Sequence, residues 1–298
     1  MYDKLIYEGQ ELDAAYFKDI SLIKASPSTV PNPDLFTPLF ANNEQGFFYD
    51  PNDLSTMFQN AAGTIPVTDV GQPVGLIQDK SGRNNHAKQT TSASRPILRK
   101  NAVTGANYLE FDGSDDFLTL DALNFNGKDK LSLFVGQKTN VPSGTGVLVE
   151  TGSYFGNPRG GFGLFSSIGG TTQDPIPIVG GGVSAEGSGN GEFSFGNLVT
   201  NNFIRTITLR VDLTKSTVAQ QANIRANGEL KIPTATTGVI PGSKFTTVSM
   251  NIGRRSSGSI PFNGHIYTLV CTSRSTTDAE VIAIEKEIAK QTGVPINV

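Results

Sequence analysis

The chain has 298 residues, with 33 Gly, 16 Pro, one Cys and no Trp; 37% are hydrophobic and 17% charged. It is too apolar for a disordered chain, and its Gly share exceeds the usual value of about 7%. A net charge of −3 offers no basic field to hold a phosphate backbone, so nucleic acid is excluded as an expected partner.

Residues 1–45 read as an arm. Met1-Tyr2-Asp3-Lys4-Leu5-Ile6-Tyr7-Glu8 lacks the cationic start and apolar block of a signal peptide. No apolar run reaches the roughly 18 residues of a spanning helix, so no membrane insertion is expected. Leu12, Ala15, Tyr16 and Ile20 could line one face of a short helix. Pro27, Pro31, Pro33 and Pro38 predict an extended stretch from Ala25 to Pro38. Two readings stay open for the arm: a strap on its own domain, or a segment that orders against a partner.

Residues 46–298 read as one β domain. Leu131–Gln137, Val147–Glu150, Phe162–Phe165, Glu192–Phe195 and Phe203–Asp212 are short, rich in β-branched and aromatic residues, and bounded by Gly, Asn or Pro. Ile204, Thr206, Thr208 and Arg210 alternate with Arg205, Ile207, Leu209 and Val211, which predicts a sheet with one wet face. Asn227-Gly228, between Ala222 and Lys231, is a hairpin turn. Thr246–Ile252 and His265–Cys271 are two more strands. The lone Cys271 cannot form an internal disulfide, which fits maturation in a reducing cytosol. Residues 151–196 are densest in Gly and read as long rim loops holding two short strands.

One helix closes the chain. Thr277-Asp278-Ala279-Glu280 is a capping box, Val281, Ile284 and Ile288 form the buried stripe, and Glu280, Glu287 and Lys290 lie largely outside it. Gly293 and Pro295 end it. Many short strands ending in one helix predict an all-β sandwich with a terminal helix.

The run Gln78-Asp79-Lys80-Ser81-Gly82-Arg83-Asn84-Asn85-His86-Ala87 resembles a segment of laminin-G-like, concanavalin A-like jelly-roll domains. In the same order come Arg95-Pro96, then Tyr108-Leu109-Glu110-Phe111-Asp112-Gly113-Ser114-Asp115-Asp116-Phe117-Leu118, then Asn227-Gly228-Glu229-Leu230. Phe262-Asn263-Gly264-His265-Ile266-Tyr267 and the capping box complete the match, which spans roughly residues 46–296. The resemblance implies a two-sheet antiparallel jelly roll. Its texture, including Phe48-Tyr49-Asp50-Pro51-Asn52-Asp53-Leu54-Ser55 leading into Gly71-Gln72-Pro73-Val74, is similar to the version carried by tailed-bacteriophage virion proteins. A virion structural role follows from that resemblance: a surface decoration or fibre component, made in the host cytoplasm and held to other virion proteins through residues 1–45. It would adhere weakly to host-surface polysaccharide, and a homotrimer is expected by analogy with phage fibres. The alternatives are a tail receptor-binding protein for host polysaccharide, and a glycoside hydrolase of concanavalin-like fold.

The chemistry-bearing residues set these apart. Glu110 and Asp112 point to one side of a strand, as a retaining glycosidase's carboxylates do at about 5–5.5 Å. The family's further Glu is replaced by Asp115 or Asp116, and Gly113-Ser114 reads as a turn, so no catalytic residue and no enzyme is expected. Asp112, Asp115 and Asp116 are candidate Ca²⁺ ligands, with turn chemistry as the other reading and no cofactor otherwise expected. His86 and His265 are the only histidines and carry no nucleophile elbow; His86 is expected to bond backbone in its loop. Asp50, Asp53, Asp79, Asn84 and Asn85 read as turn residues. Tyr154, Phe155, Asn157 and Arg159 combine aromatics, an amide and a guanidinium, and are the candidate glycan site.

Overall fold

In the computed structural model the described residues are 4–7, 10–13, 33–140, 146–152, 160–168, 178–184, 190–195, 204–231, 235–237 and 241–296. They begin with β1 (Lys4–Tyr7), β2 (Gln10–Asp13), α1 (Pro33–Phe36), β3 (Gly46–Tyr49), β4 (Met57–Phe58), β5 (Leu76–Ile77) and β6 (Ala87–Lys88). Then follow β7 (Ile97–Lys100), β8 (Asn107–Asp112), β9 (Leu118–Asn124), β10 (Lys130–Thr139), β11 (Gly146–Thr151), β12 (Phe162–Ile168), β13 (Ile178–Ser184) and β14 (Asn190–Phe195). The last are β15 (Ile204–Asp212), α2 (Val218–Gln221), β16 (Ala222–Ala226), β17 (Glu229–Lys231), β18 (Ala235–Thr237), β19 (Thr247–Ile252), β20 (Asn263–Thr272) and α3 (Asp278–Thr292).

The strands form a two-sheet antiparallel jelly-roll sandwich, as expected. One sheet runs β17-β16-β15-β10-β20-β8-β7, with β3 also paired to β20. The other runs β18-β14-β13-β12-β11-β19-β9-β6-β5-β4. Among the described residues β1 and β2 pair with each other. Strand parity builds two apolar layers. Leu131, Leu133 and Val135 of β10, with Leu269 and Cys271 of β20, face the other sheet and meet Leu148, Leu164 and Met250. Phe134 and Val270, the residues between, face outward into a second cluster with Val281, Ile284 and Ile288 of α3. Burying a ring such as Phe134 contributes about 1.5–3 kcal/mol.

That second layer corrects the wet-face expectation for β15. Thr206 and Thr208 are buried, because α3 lies across the face that their alternation had assigned to water. The capping box is present: Glu280 N donates to Thr277 Oγ1 at 3.2 Å, and Thr277 N donates to Glu280 Oε2 at 2.7 Å. Arg274 bonds Glu280 from the other side and, as the main cause, holds its carboxyl down at about 2. Gly293 ends the helix at φ 79°. Glu287, expected outside the stripe, is buried and pairs with Lys290 at 2.6 Å, because the helix lies flat enough on the sheet to bury its flank.

Three further local expectations change. Leu12 lies in β2 opposite Leu5, so the hairpin takes the first position of the expected helix; Ala15, Tyr16 and Ile20 lie outside the described residues. The end of the proline stretch is helical at Pro33–Phe36 and 3₁₀ at Thr37–Phe40, since Pro near a helix start loses no needed amide. Phe36, Leu39 and Phe40 are buried there against Phe48 and α3, with Phe36 stacked on Phe48 at 4.6 Å. The Gly-rich region holds three strands rather than two: Gly180, Gly181 and Gly182 sit within β13, paired to β12 on one edge and β14 on the other. Ladder bonds on both edges override the low strand preference of Gly.

The motif that carries the family resemblance stitches this frame together. Asp79 accepts amides from Phe48 and Ser81 at 2.8 Å each through Oδ1, and from Asn85 at 3.0 Å through Oδ2. Asp79 N in turn donates to His86 Nδ1 at 2.9 Å, as the loop reading expected. Lys80 bridges Asp50 at 3.2 Å and Asp53 at 2.7 Å. The Asn227-Gly228 hairpin has φ 51° and 86°, both left-handed as its turn type requires.

Candidate functional site

The predicted glycan residues Tyr154, Phe155, Asn157 and Arg159 lie outside the described residues. The predicted acidic cluster is formed: carboxylate oxygens of Asp112, Asp115 and Asp116 lie within 4.8 Å of one another. Its oxygens are largely spent on local donors. Asp112 Oδ1 accepts the amides of Ser114, Asp115 and Asp116 at 2.8, 3.3 and 3.4 Å. Asp116 Oδ2 accepts Asp112 N at 3.0 Å, and Asp115 Oδ2 accepts Ser94 Oγ at 2.5 Å. Each carboxylate keeps one oxygen without a hydrogen bond among the described residues. This is the geometry of a capped turn. Burial, then the charge of Asp112, pushes the Asp116 carboxyl up to about 7. Glu110 accepts from Arg99 Nε at 2.7 Å, so the two carboxylates of the hydrolase alternative hold an ion pair and a turn.

The concave feature lies elsewhere, on the outer face of the β15-β10-β20-β8-β7 sheet, where α3 stops. A cleft of about 550 Å³ opens there, within the range of small-ligand sites. Its floor is strand residues of one parity: Tyr108 of β8, Lys138 of β10, Ile204 of β15, and His265 and Tyr267 of β20. The β7–β8 turn from Lys100 to Val103 forms one wall, and Thr292 and Gly293 at the helix end form the other.

The walls are tied to each other. Thr104 Oγ1 donates to Gln291 O at 2.7 Å, joining the turn to the last turn of α3. Asn101 Oδ1 accepts Val103 N at 2.9 Å, while its Nδ2 donates to Tyr267 Oη at 3.0 Å. Gly136 lets the helix approach: a Cβ there would stand 2.7 Å from Ile288 Cγ2 and 2.9 Å from Thr292 Cγ2. On the floor Tyr108 stacks on His265 at 4.0 Å between ring centroids, 14° from parallel, and meets Tyr267 at 5.3 Å. Burial pushes the Tyr267 hydroxyl up to about 12, so it stays a neutral donor and acceptor.

His265 is held uncharged. Burial, with Lys138 adding to it, lowers its pKa from 6.5 to about 4, against a smaller opposing pull from Glu110. Its Nδ1 is buried with no hydrogen-bond partner among the described residues. Between pH 6.5 and 4 the unfolded chain binds a proton at this position that the folded chain does not. The contribution of His265 to stability is therefore lost as pH falls through that window. Asp116 acts oppositely: the folded chain keeps its proton from pH 3.8 to about 7, so its contribution falls as pH rises. The two offset in a melting profile, and the ring itself is the cleaner readout. In an NMR titration, the imidazole signal that disappears in His265→Gln is expected to shift with a midpoint near 4. A midpoint near 6.5 would mean the ring is open to water.

Sequence reasoning noted His265 on its strand and quoted Tyr108 and Tyr267 inside the motifs, but did not join them. Lys100, Asn101 and Lys138 carried no local signal, because the cleft exists only once β7, β8, β20 and β10 are adjacent.

No protein-family model matches the chain, and no curated protein does. Solved structures resemble it in fold. Domain 4 of AbnA, a GH43 extracellular arabinanase from Geobacillus stearothermophilus, in complex with arabinotriose, is 11% identical. The match covers 81% of this chain and 98% of that domain, with a TM-score of 0.50. The CBM40 of the Ruminococcus gnavus IT-sialidase, bound to α2,3-sialyllactose, is 20% identical over 63% of this chain and 97% of its own, with a TM-score of 0.42. The binding domain of botulinum neurotoxin DC, in complex with rat synaptotagmin II, is 13% identical over 71% of this chain and 49% of its own, with a TM-score of 0.48. At these identities the likeness is one of fold: this chain is a β-sandwich of the same architecture as domain 4 of the arabinanase.

Proposed function

We propose that the chain is a non-catalytic glycan-binding β-sandwich displayed on a bacteriophage particle, as a decoration or fibre component attached through its N-terminal residues. The cleft between the β7–β8 turn and the end of α3 carries the binding part of this reading. It sets a half-buried tyrosine, a fixed amide and a neutral hydroxyl around one volume, which suits the apolar face and the hydroxyls of a sugar ring. The arabinotriose bound to domain 4 of the arabinanase supports a saccharide as the ligand class. The phage setting is supported by the resemblance of Phe48–Ser55 leading into Gly71–Val74 to the version of this jelly roll carried by tailed-bacteriophage virion proteins.

The binding part is tested with the full chain on a glycan array, followed by calorimetry on the hits. Tyr108→Ala is expected to weaken binding about 10-fold, since a well-placed ring contributes about 1 kcal/mol or more. Silence of the wild-type chain across the array would reject it. The display part is tested by deleting residues 1–32, which spares the buried segment at Phe36–Phe40, and following incorporation into particles. Full incorporation would reject the attachment role. Immunogold labelling of intact particles separates a head decoration from a tail receptor-binding protein.

A further inference from the structure

The cleft has a charge character that the whole chain lacks. Lys100 and Lys138 both line it, in a protein of net charge −3. Glu110, on the same sheet face opposite His265, is taken by Arg99 at 2.7 Å. No ion pair occupies either lysine among the described residues, whereas Lys80, Lys88, Lys244 and Lys290 each hold a carboxylate. Two lysines with no ion-pair partner among the described residues thus line one concave volume walled by tyrosines. The C-terminal end of α3 contributes a partial negative charge of about half a unit, which two full positive charges outweigh.

We infer that the cleft recognises an acidic sugar, a pyranose bearing a carboxylate, with Lys100 and Lys138 holding the carboxylate and Tyr108 and Asn101 holding the ring. This rests on the glycan-binding reading and names the ligand class for the same site. The chemistry divides cleanly between the groups. The lysines act as point charges, which tolerate different carboxylate positions but require the charge itself. The Asn101 amide is already oriented by its bonds to Val103 and Tyr267, so little order is lost on binding.

Calorimetry on the full chain separates the outcomes, with two acidic probes, trigalacturonate and α2,3-sialyllactose, against their neutral counterparts, galactotriose and lactose. At least one acidic probe is expected to bind about 10-fold or more tightly than its counterpart, equivalent to about 1.4 kcal/mol. Lys100→Ala/Lys138→Ala, checked for an unchanged melting temperature, is expected to erase that preference. Equal binding of acidic and neutral probes overturns the inference and leaves the glycan-binding reading standing. A preference that survives the double variant also overturns it, by placing the acid elsewhere. Displacement of the acidic probe by inorganic phosphate at equal concentration overturns it as well, since the cleft would then be a simple anion site. Absence of binding to any saccharide rejects both statements together.

Discussion

Arg225→Leu is expected to destabilise the protein by about 3–5 kcal/mol, read as a lower urea midpoint at an unchanged slope. Glu285 sits in the middle of α3, faces the sheet and has no exposed surface. Its Oε1 accepts from Arg225 Nε at 3.0 Å and from Thr208 Oγ1 at 2.7 Å, and its Oε2 is 3.2 Å from the same Nε. The three groups join α3, β15 and β16. Removing the arginine leaves a carboxylate buried with one hydroxyl donor, and that uncompensated charge is the larger cost. A double-mutant cycle isolates the pair. Glu285→Leu/Arg225→Leu should recover most of the loss, because two apolar side chains remove the buried charge along with its partner. If Arg225→Leu costs under about 1 kcal/mol, in the range of surface pairs, the carboxylate is reaching water and the helix does not seal the sheet face beneath it.

Gly46→Ala is expected to cost on the order of 4 kcal/mol, or to prevent folding. Gly46 has φ +148°, and a Cβ there would stand 1.9 Å from the carbonyl oxygen of Cys271. That oxygen belongs to the backbone of β20 where it pairs with β3, so it cannot rotate aside. Asn85 Nδ2 also donates to Gly46 O at 2.6 Å, so displacing β3 would disturb the Asp79–His86 loop as well. Gly82→Ala is the matched control. Gly82 lies in the same loop at φ +80°, and a methyl group added there would meet nothing within 4 Å, so only the left-handed penalty of about 1–2 kcal/mol applies. Equal costs for the two variants, from chemical denaturation, would show that conformation rather than the close approach sets the requirement for glycine.

These two sites mark the boundary of what can be read from the chain alone. Local signals were legible wherever the physics is local. The capping box needs only Thr277 and Glu280, which one helical turn brings together, and it formed. The Asn227-Gly228 turn needs two left-handed residues, and it formed between β16 and β17. Asp79 and His86, seven positions apart, closed their loop as expected. The strands read at Leu131–Gln137 and His265–Cys271 formed within β10 and β20.

What the chain alone could not reveal depends on which element covers which face. The alternation of β15 is the same whether water or α3 lies over Thr206 and Thr208; only the packing of the helix decides it. Glycines at 180–182 prefer turns in isolation, yet two paired neighbours hold them in β13. The cleft is the clearest case. Lys100 and Lys138 are separated by β8, β9 and most of β10, and His265 is far from both in sequence. They converge because β7, β8, β20 and β10 lie side by side and α3 ends at Gly293 before reaching them. Local sequence determined the strands, the turns and the helix cap. Tertiary packing decided which sheet face stays open, because burial is a property of the covering element rather than of the residues covered.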